Sequence, residues 1–246
     1  MTPSAALALL LSLPGTSEFV RLDAALEPRP VAQDLLAFDD EPKGFLEQGL
    51  HDWPVGTTLL QGYIGVFFLD EGRVSGGVTP PLDVADAFEM LPTMGGVGQY
   101  KLGGSRVSWG IEGGVDFSGR AGGAAFYFAN GVGQVAVEVD LYSLALAGGP
   151  FVSVPLGEKL RVYAGGGGLM QWTWYDQVGP STNDSGDGDG FGAGYYARGG
   201  FEYLLPNSTL MGLGARWSET RVDLSGGLGH VDLVGTQVLL TITRSL

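Results

Sequence analysis

The chain has 246 residues, of which 43 are glycine, none is cysteine and only 16% are charged. A 44% hydrophobic content excludes a disordered chain, and a net charge of −14 disfavours nucleic acid as a partner. No apolar run reaches the ~18–20 residues of a transmembrane helix, and without cysteine there is neither a disulfide nor a thiolate metal site.

Residues 1–15, "MTPSAALALLLSLPG", carry an apolar core from Ala5 to Leu13 of the length of a signal-sequence h-region. No Lys or Arg precedes it, so we read an export signal with an atypical n-region. Residues 16–56 read as an acidic linker, broken by Pro28, Pro30, Pro42 and Pro54, with one short helix expected around "VAQDLLAF". From Thr57 onward the chain changes to long alternating runs. Successive side chains leave a strand on opposite faces, so such runs predict β-structure. The predicted strands are 58–69, 105–117, 133–142, 144–156, 159–175, 191–205, 209–218 and 232–244. Residues 155–159 and 205–208 are tight turns rich in Pro, Gly and Asn. The connections 70–104, 176–190 and 219–231 are long and fall opposite the chain termini. Residues 118–132 are too many for a tight turn and have room for part of a strand.

Each strand offers two faces, and in the six clearest strands one of them is apolar. In 159–175 it comprises Leu160, Val162, Ala164, Met170, Trp172 and Trp174; in 105–117, Val107, Trp109, Ile111, Val115 and Phe117. In 133–142 it comprises Val135, Val137, Val139 and Leu141. In 191–205 it is Phe191, Ala193, Tyr195, Ala197, Phe201 and Tyr203. The last two strands present Met211, Leu213, Ala215 and Trp217, then Val234, Val238, Leu240 and Ile242. The opposite rows carry ten charges: Arg106, Glu112, Asp116, Glu138, Asp140, Lys159, Arg161, Arg198, Glu202 and Arg216. A row facing water would be rich in Lys, Glu, Asp and Thr. This one mixes small residues with equal numbers of acids and bases, which suits a crowded interior of paired ions. The apolar row then faces lipid, and the strands reach the ~9–11 residues a tilted membrane strand needs.

Aromatic residues gather at strand ends, as in the girdles of a membrane barrel. Trp172, Trp174, Tyr175, Trp109, Phe191, Tyr195, Trp217 and Tyr142 are expected at the long-loop end. Phe117, Phe201 and Tyr203 are expected at the other. The predicted fold is therefore all-β: an eight-stranded antiparallel up-and-down transmembrane β-barrel over 57–246, behind an irregular N-terminal segment.

On this pattern the chain resembles the small outer-membrane β-barrel proteins of Gram-negative bacteria, of the OmpA and OmpX type. Its last strand, "DLVGTQVLLTITRSL", is similar to that family's C-terminal assembly signal, with Gly235, Val238 and Leu240 in the expected spacing. It departs from that signal at Leu246, where an aromatic is common, and at Leu233, where a polar residue is usual. The resemblance implies an outer-membrane location, contact with membrane lipid and lipopolysaccharide, delivery by the barrel-assembly machinery, and a monomer.

No cofactor, metal or catalytic residue is expected. His230 in "GHVD" sketches a base with an orienting carboxylate, but a surface-loop histidine beside an aspartate is more often incidental. "NDSGDGDGFG" (183–192) places oxygens at Ser185, Asp187 and Asp189. Position 12 of a calcium loop starting there is Tyr196 rather than Glu, which breaks the register. "YAGGGG" (163–168) has neither the lysine nor the helix start of a phosphate cradle. Its glycines instead leave room for bulky neighbours such as Tyr63 or Tyr196. The expected function is structural or surface-interacting, with a lumen plugged by ion pairs. A small-solute pore, a soluble lipocalin-like barrel and an enzyme are the alternatives.

Overall fold

The fold is seen in a computed structural model, which describes residue 50 and residues 53–76, 82–83, 90–129, 133–178, 186–225 and 229–246. The expected export signal, most of the expected linker with its short helix, His51, and residues 179–185 and 226–228 lie outside the described residues.

Among the described residues, nine strands run in chain order: β1 (Thr58–Gly76), β2 (Leu82–Asp83), β3 (Met90–Gly103), β4 (Ser108–Ala129), β5 (Gly133–Leu156), β6 (Leu160–Val178), β7 (Gly186–Leu204), β8 (Leu210–Leu224) and β9 (Gly229–Ser245). All neighbours are antiparallel, and β9 pairs with β1 from Ser245↔Leu59 to Gly229↔Gly76, which closes the sheet. β2 pairs only with Arg73 and Val74 of β1, so the barrel itself has eight strands. Closure satisfies the edges that an open sheet would leave unpaired.

The strand count agrees with the sequence because two errors cancel. Residues 90–103, expected within a long connection, form β3, paired with β1 from Tyr100↔Thr58 to Met90↔Phe68. Pro92, Gly95, Gly96 and Gly98 mask its alternation. Conversely, 133–142 and 144–156 are one unbroken strand of 24 residues. The missed strand also reverses 108–117, so Trp109 stands at the tight-turn end and Phe117 at the other. The 118–132 segment holds the upper part of β4 and a bulge between Arg120 and Gly123.

Over most of the barrel the apolar row points outward. Ile64, Ile111, Leu146, Met170, Leu213 and Ile242 are all between 47% and 61% exposed, which leaves a broad hydrophobic belt on a folded chain. Such a belt is far larger than the patches a water-soluble monomer exposes. Upper β5 departs from the expected register. Val139 and Leu141 are buried inside and Glu138 is exposed. The parity of β5 never changes along its length; only the environment does.

Candidate functional site

The lumen collects the buried polar side chains. Strands β4 and β7 each turn two charged residues inward and β6 and β8 one each, and these six line up as three ion pairs along the axis. Lowest, nearest the tight turns, Arg161 Nη1 lies 3.3 Å from Glu202 Oε2, both almost fully buried. Glu202 Oε1 also accepts hydrogen bonds from Gln61 Nε2 (2.7 Å), Thr243 Oγ1 (2.6 Å) and Thr241 Oγ1 (3.2 Å). Arg161 donates to Ser153 Oγ at 3.0 Å and to Gln99 Oε1.

The middle pair is bidentate. Arg198 Nε and Nη2 donate to the two Glu112 oxygens at 2.9 and 2.8 Å, the fork geometry that makes arginine–carboxylate pairs strong. Tyr196 Oη and Gln99 Nε2 complete the carboxylate's partners at 2.9 and 3.1 Å, and Arg198 Nη1 donates to Gln61 Oε1 at 2.7 Å. The upper pair is looser, with Arg216 Nη1 3.8 Å from Asp116 Oδ2. Tyr63, Thr93, Gln237 and Ser118 donate to that Asp116 carboxylate at 3.0 to 3.2 Å. Gln61 and Gln99 join the lower pair to the middle one, which makes a continuous network.

Glycines make the space. A Cβ at Gly165 would stand 2.5 Å from Glu112 Oε1, and one at Gly95 would stand 2.5 Å from the Tyr63 hydroxyl. The Arg161 and Arg198 guanidiniums flank the Tyr163 ring at 5.5 and 5.2 Å, and Arg216 lies 4.9 Å from the Tyr196 ring. Both ends of the lumen are apolar. Leu50, Trp53, Leu59, Phe151 and Leu210 pack together at the tight-turn end. Val139, Leu141, Tyr175, Val222, Leu224, Val231 and Leu233 are buried at the long-loop end.

Six of the ten charges assigned to the lumen thus meet inside it. The other four do not. Arg106 and Lys159 are exposed in the turns 104–107 and 157–159. Glu138 is exposed on upper β5, and half-buried Asp140 accepts from the Gly122 N–H at 2.7 Å. The sequence reading misses Lys101, Gln99 and Thr93, which inward parity gives once 90–103 is a strand, and Gln237, which points inward on the expected strand 232–244. Among the aromatic residues, Trp109, Phe201 and Tyr203 are exposed at the tight-turn end, and Trp172, Trp174, Tyr195 and Trp217 at the other. Trp172 stacks edge-on against Phe191, with centroids 4.9 Å apart. Tyr175 departs from the girdle: it is 3% exposed and points inward, as its odd parity on β6 requires.

His230 stands half-exposed at the rim, with Nε2 3.9 Å from Asp232 Oδ2. Arg221 already holds that carboxylate through two bonds of 2.6 and 3.0 Å. Above the upper girdle, Asp140, Asp176, Asp187 and Asp189 line an outer groove of about 400 Å³ beside Tyr142 and Trp174. Among the described residues, no group of three or more His, Asp or Glu is placed to hold a metal ion.

No protein-family model and no curated protein matches the sequence. Solved structures do. The outer membrane protein OprG from Pseudomonas aeruginosa is 12% identical with a TM-score of 0.51, over 78% of this chain and 96% of that one. Ail, the attachment invasion locus protein of Yersinia pestis, is 14% identical with a TM-score of 0.38, covering 77% and 99%. The outer membrane protein AlkL, solved in lipid bilayers, is 15% identical with a TM-score of 0.31, covering 79% and 92%. The chain has the eight-stranded fold of the small outer-membrane barrels.

Proposed function

We propose that this protein is a non-conducting, non-enzymatic barrel of the bacterial outer membrane, with a structural or surface-interacting role. The observation that carries the reading is the filled lumen: three buried ion pairs, sealed by apolar side chains at both ends. Eight strands enclose a space that side chains can just fill, and here they fill it. The exposed apolar belt between two aromatic rows supports the membrane location. Its sequence-level signal on β9 supports delivery by the barrel-assembly machinery, and no second chain is needed to complete the lumen, which supports a monomer.

The rim outside the belt is acidic. Asp70, Glu71, Asp176, Asp187, Asp189 and Asp223 are exposed there. Divalent cations bridging these carboxylates to the phosphates of lipopolysaccharide are the surface interaction this rim fits, and EDTA should weaken it. The test of the main reading is conductance in planar bilayers. Purified, folded protein should give no steady single-channel steps. Reproducible steps of one size would overturn the plugged lumen in favour of a pore.

A further inference from the structure

The tight-turn mouth of the lumen is closed by chain that precedes the barrel. Residues 54–57 form a turn in which Thr57 Oγ1 donates to the Pro54 carbonyl at 2.7 Å. The turn is pinned to the end of β3: Gly56 N–H donates to the Lys101 carbonyl at 2.9 Å, and Lys101 N–H to the Thr57 carbonyl at 3.1 Å. Gly56 has φ +86°, a conformation that strains any residue with a side chain. The turn throws Trp53 back under the mouth, where it is 5% exposed and its ring stacks on Phe151 at 5.8 Å.

Two cations meet this ring from above. The Arg161 guanidinium lies 5.2 Å and Lys101 Nζ 5.7 Å from its centroid, and Lys101 Nζ also donates to the Trp53 carbonyl. Lys101 is 3% exposed, and among the described residues it has no carboxylate partner. A buried ammonium needs a partner, so the strap and the lysine depend on each other. The space left between Leu50, Trp53, Ser153 and Arg161 is about 10 Å³, about one water probe sphere.

We propose that Trp53, packed beside Leu50, is a releasable strap that seals the mouth, with Lys101 as its catch. Release of the Trp53 ring then acts on the Arg161–Glu202 pair, because removing the ring lets water reach that pair. Release alone does not open a pore, since the two upper ion pairs and the far apolar plug remain.

The chain has no cysteine of its own, so Ser153→Cys places a single thiol under the strap, beside Arg161. Folded protein, verified by its altered migration before boiling, is reacted with a water-soluble maleimide. Labelling should be slow in Ser153→Cys alone and several-fold faster when Trp53→Ala or Lys101→Met is added. Equal rates with and without the Trp53 ring would overturn the strap, and so would fast labelling of Ser153→Cys alone. Should Lys101→Met fail to fold, Trp53→Ala carries the same comparison, and Lys101→Gln tests the catch. The proposal rests on the filled lumen, but its failure is distinct. Labelling reads the mouth alone, whereas steady conductance of the native chain reads the whole plug.

Discussion

Within one barrel, the wall between the girdles and the wall above them are built with opposite polarity. On β8 the outward residues run Met211, Leu213, Ala215 and Trp217, then Glu219, Arg221 and Asp223. The inward residues run Arg216, Ser218 and Thr220, then Val222 and Leu224, buried throughout. β5 shows the same change, with Leu146 outward and Ala145 inward below, then Glu138 outward and Val139 and Leu141 inward above. The backbone parity is continuous in both strands. What changes is the outer solvent, lipid below and water above. Against lipid the sequence places apolar groups outside and pairs its charges inside; against water it reverts to the arrangement of a soluble barrel. The strands of 15 to 24 residues that carry this change are longer than a membrane crossing requires.

The comparison breaks most severely at the middle ion pair. Glu112→Ala leaves Arg198 buried without its carboxylate and removes an acceptor from Tyr196 and Gln99. The expected loss is about 3–5 kcal/mol, read as a lowered urea midpoint in detergent or liposomes. Above the girdle the interior is apolar, so Leu141→Ala should act as a cavity mutation instead, costing about 2–5 kcal/mol. Placing a charge there should not rescue it, whereas at the middle ion pair Arg198→Lys should recover part of the loss shown by Arg198→Ala.

The outer face sharpens the same contrast. Leu213→Arg puts a charge against lipid and should cost roughly 2–4 kcal/mol in refolding titrations. Glu138→Leu lies on the water-facing wall and should stay within about 0.5 kcal/mol of the native chain. A lumen position for Glu138, as expected from alternation alone, would instead mean a large loss for that same substitution. A loss of several kcal/mol would return Glu138 to the interior.

That difference marks what the sequence makes legible. Alternation is a local property, and it correctly paired rows on β6, β7, β8 and β9 without any tertiary knowledge. Which row faces outward was decided by one rule, apolar to lipid, applied along the whole chain. The rule holds between the girdles and fails above them, which is why β5 was cut at Ser143, where its apolar row changes sides. β3 was illegible for another reason. Its outward row is Met94, Gly96, Gly98, Tyr100 and Leu102, too poor in β-branched residues to signal a strand, and its stability comes from pairing with β1 and β4. The network's charges could be read from single positions. Parity also gives its Gln and Thr residues as inward, but not which charge each one meets, because only closure of the barrel brings residues such as Gln61 and Glu202 together.

The most direct test is a nitroxide scan of the outward positions of β8, from residue 211 to residue 223, in reconstituted vesicles. Collisions with oxygen report lipid, and collisions with a water-soluble nickel chelate report water. Oxygen should dominate at 211, 213 and 215, and the chelate at 219, 221 and 223, with the crossover at Trp217. Chelate access at 213 and 215 equal to that at 221 would contradict a lipid-facing belt and the polarity change with it.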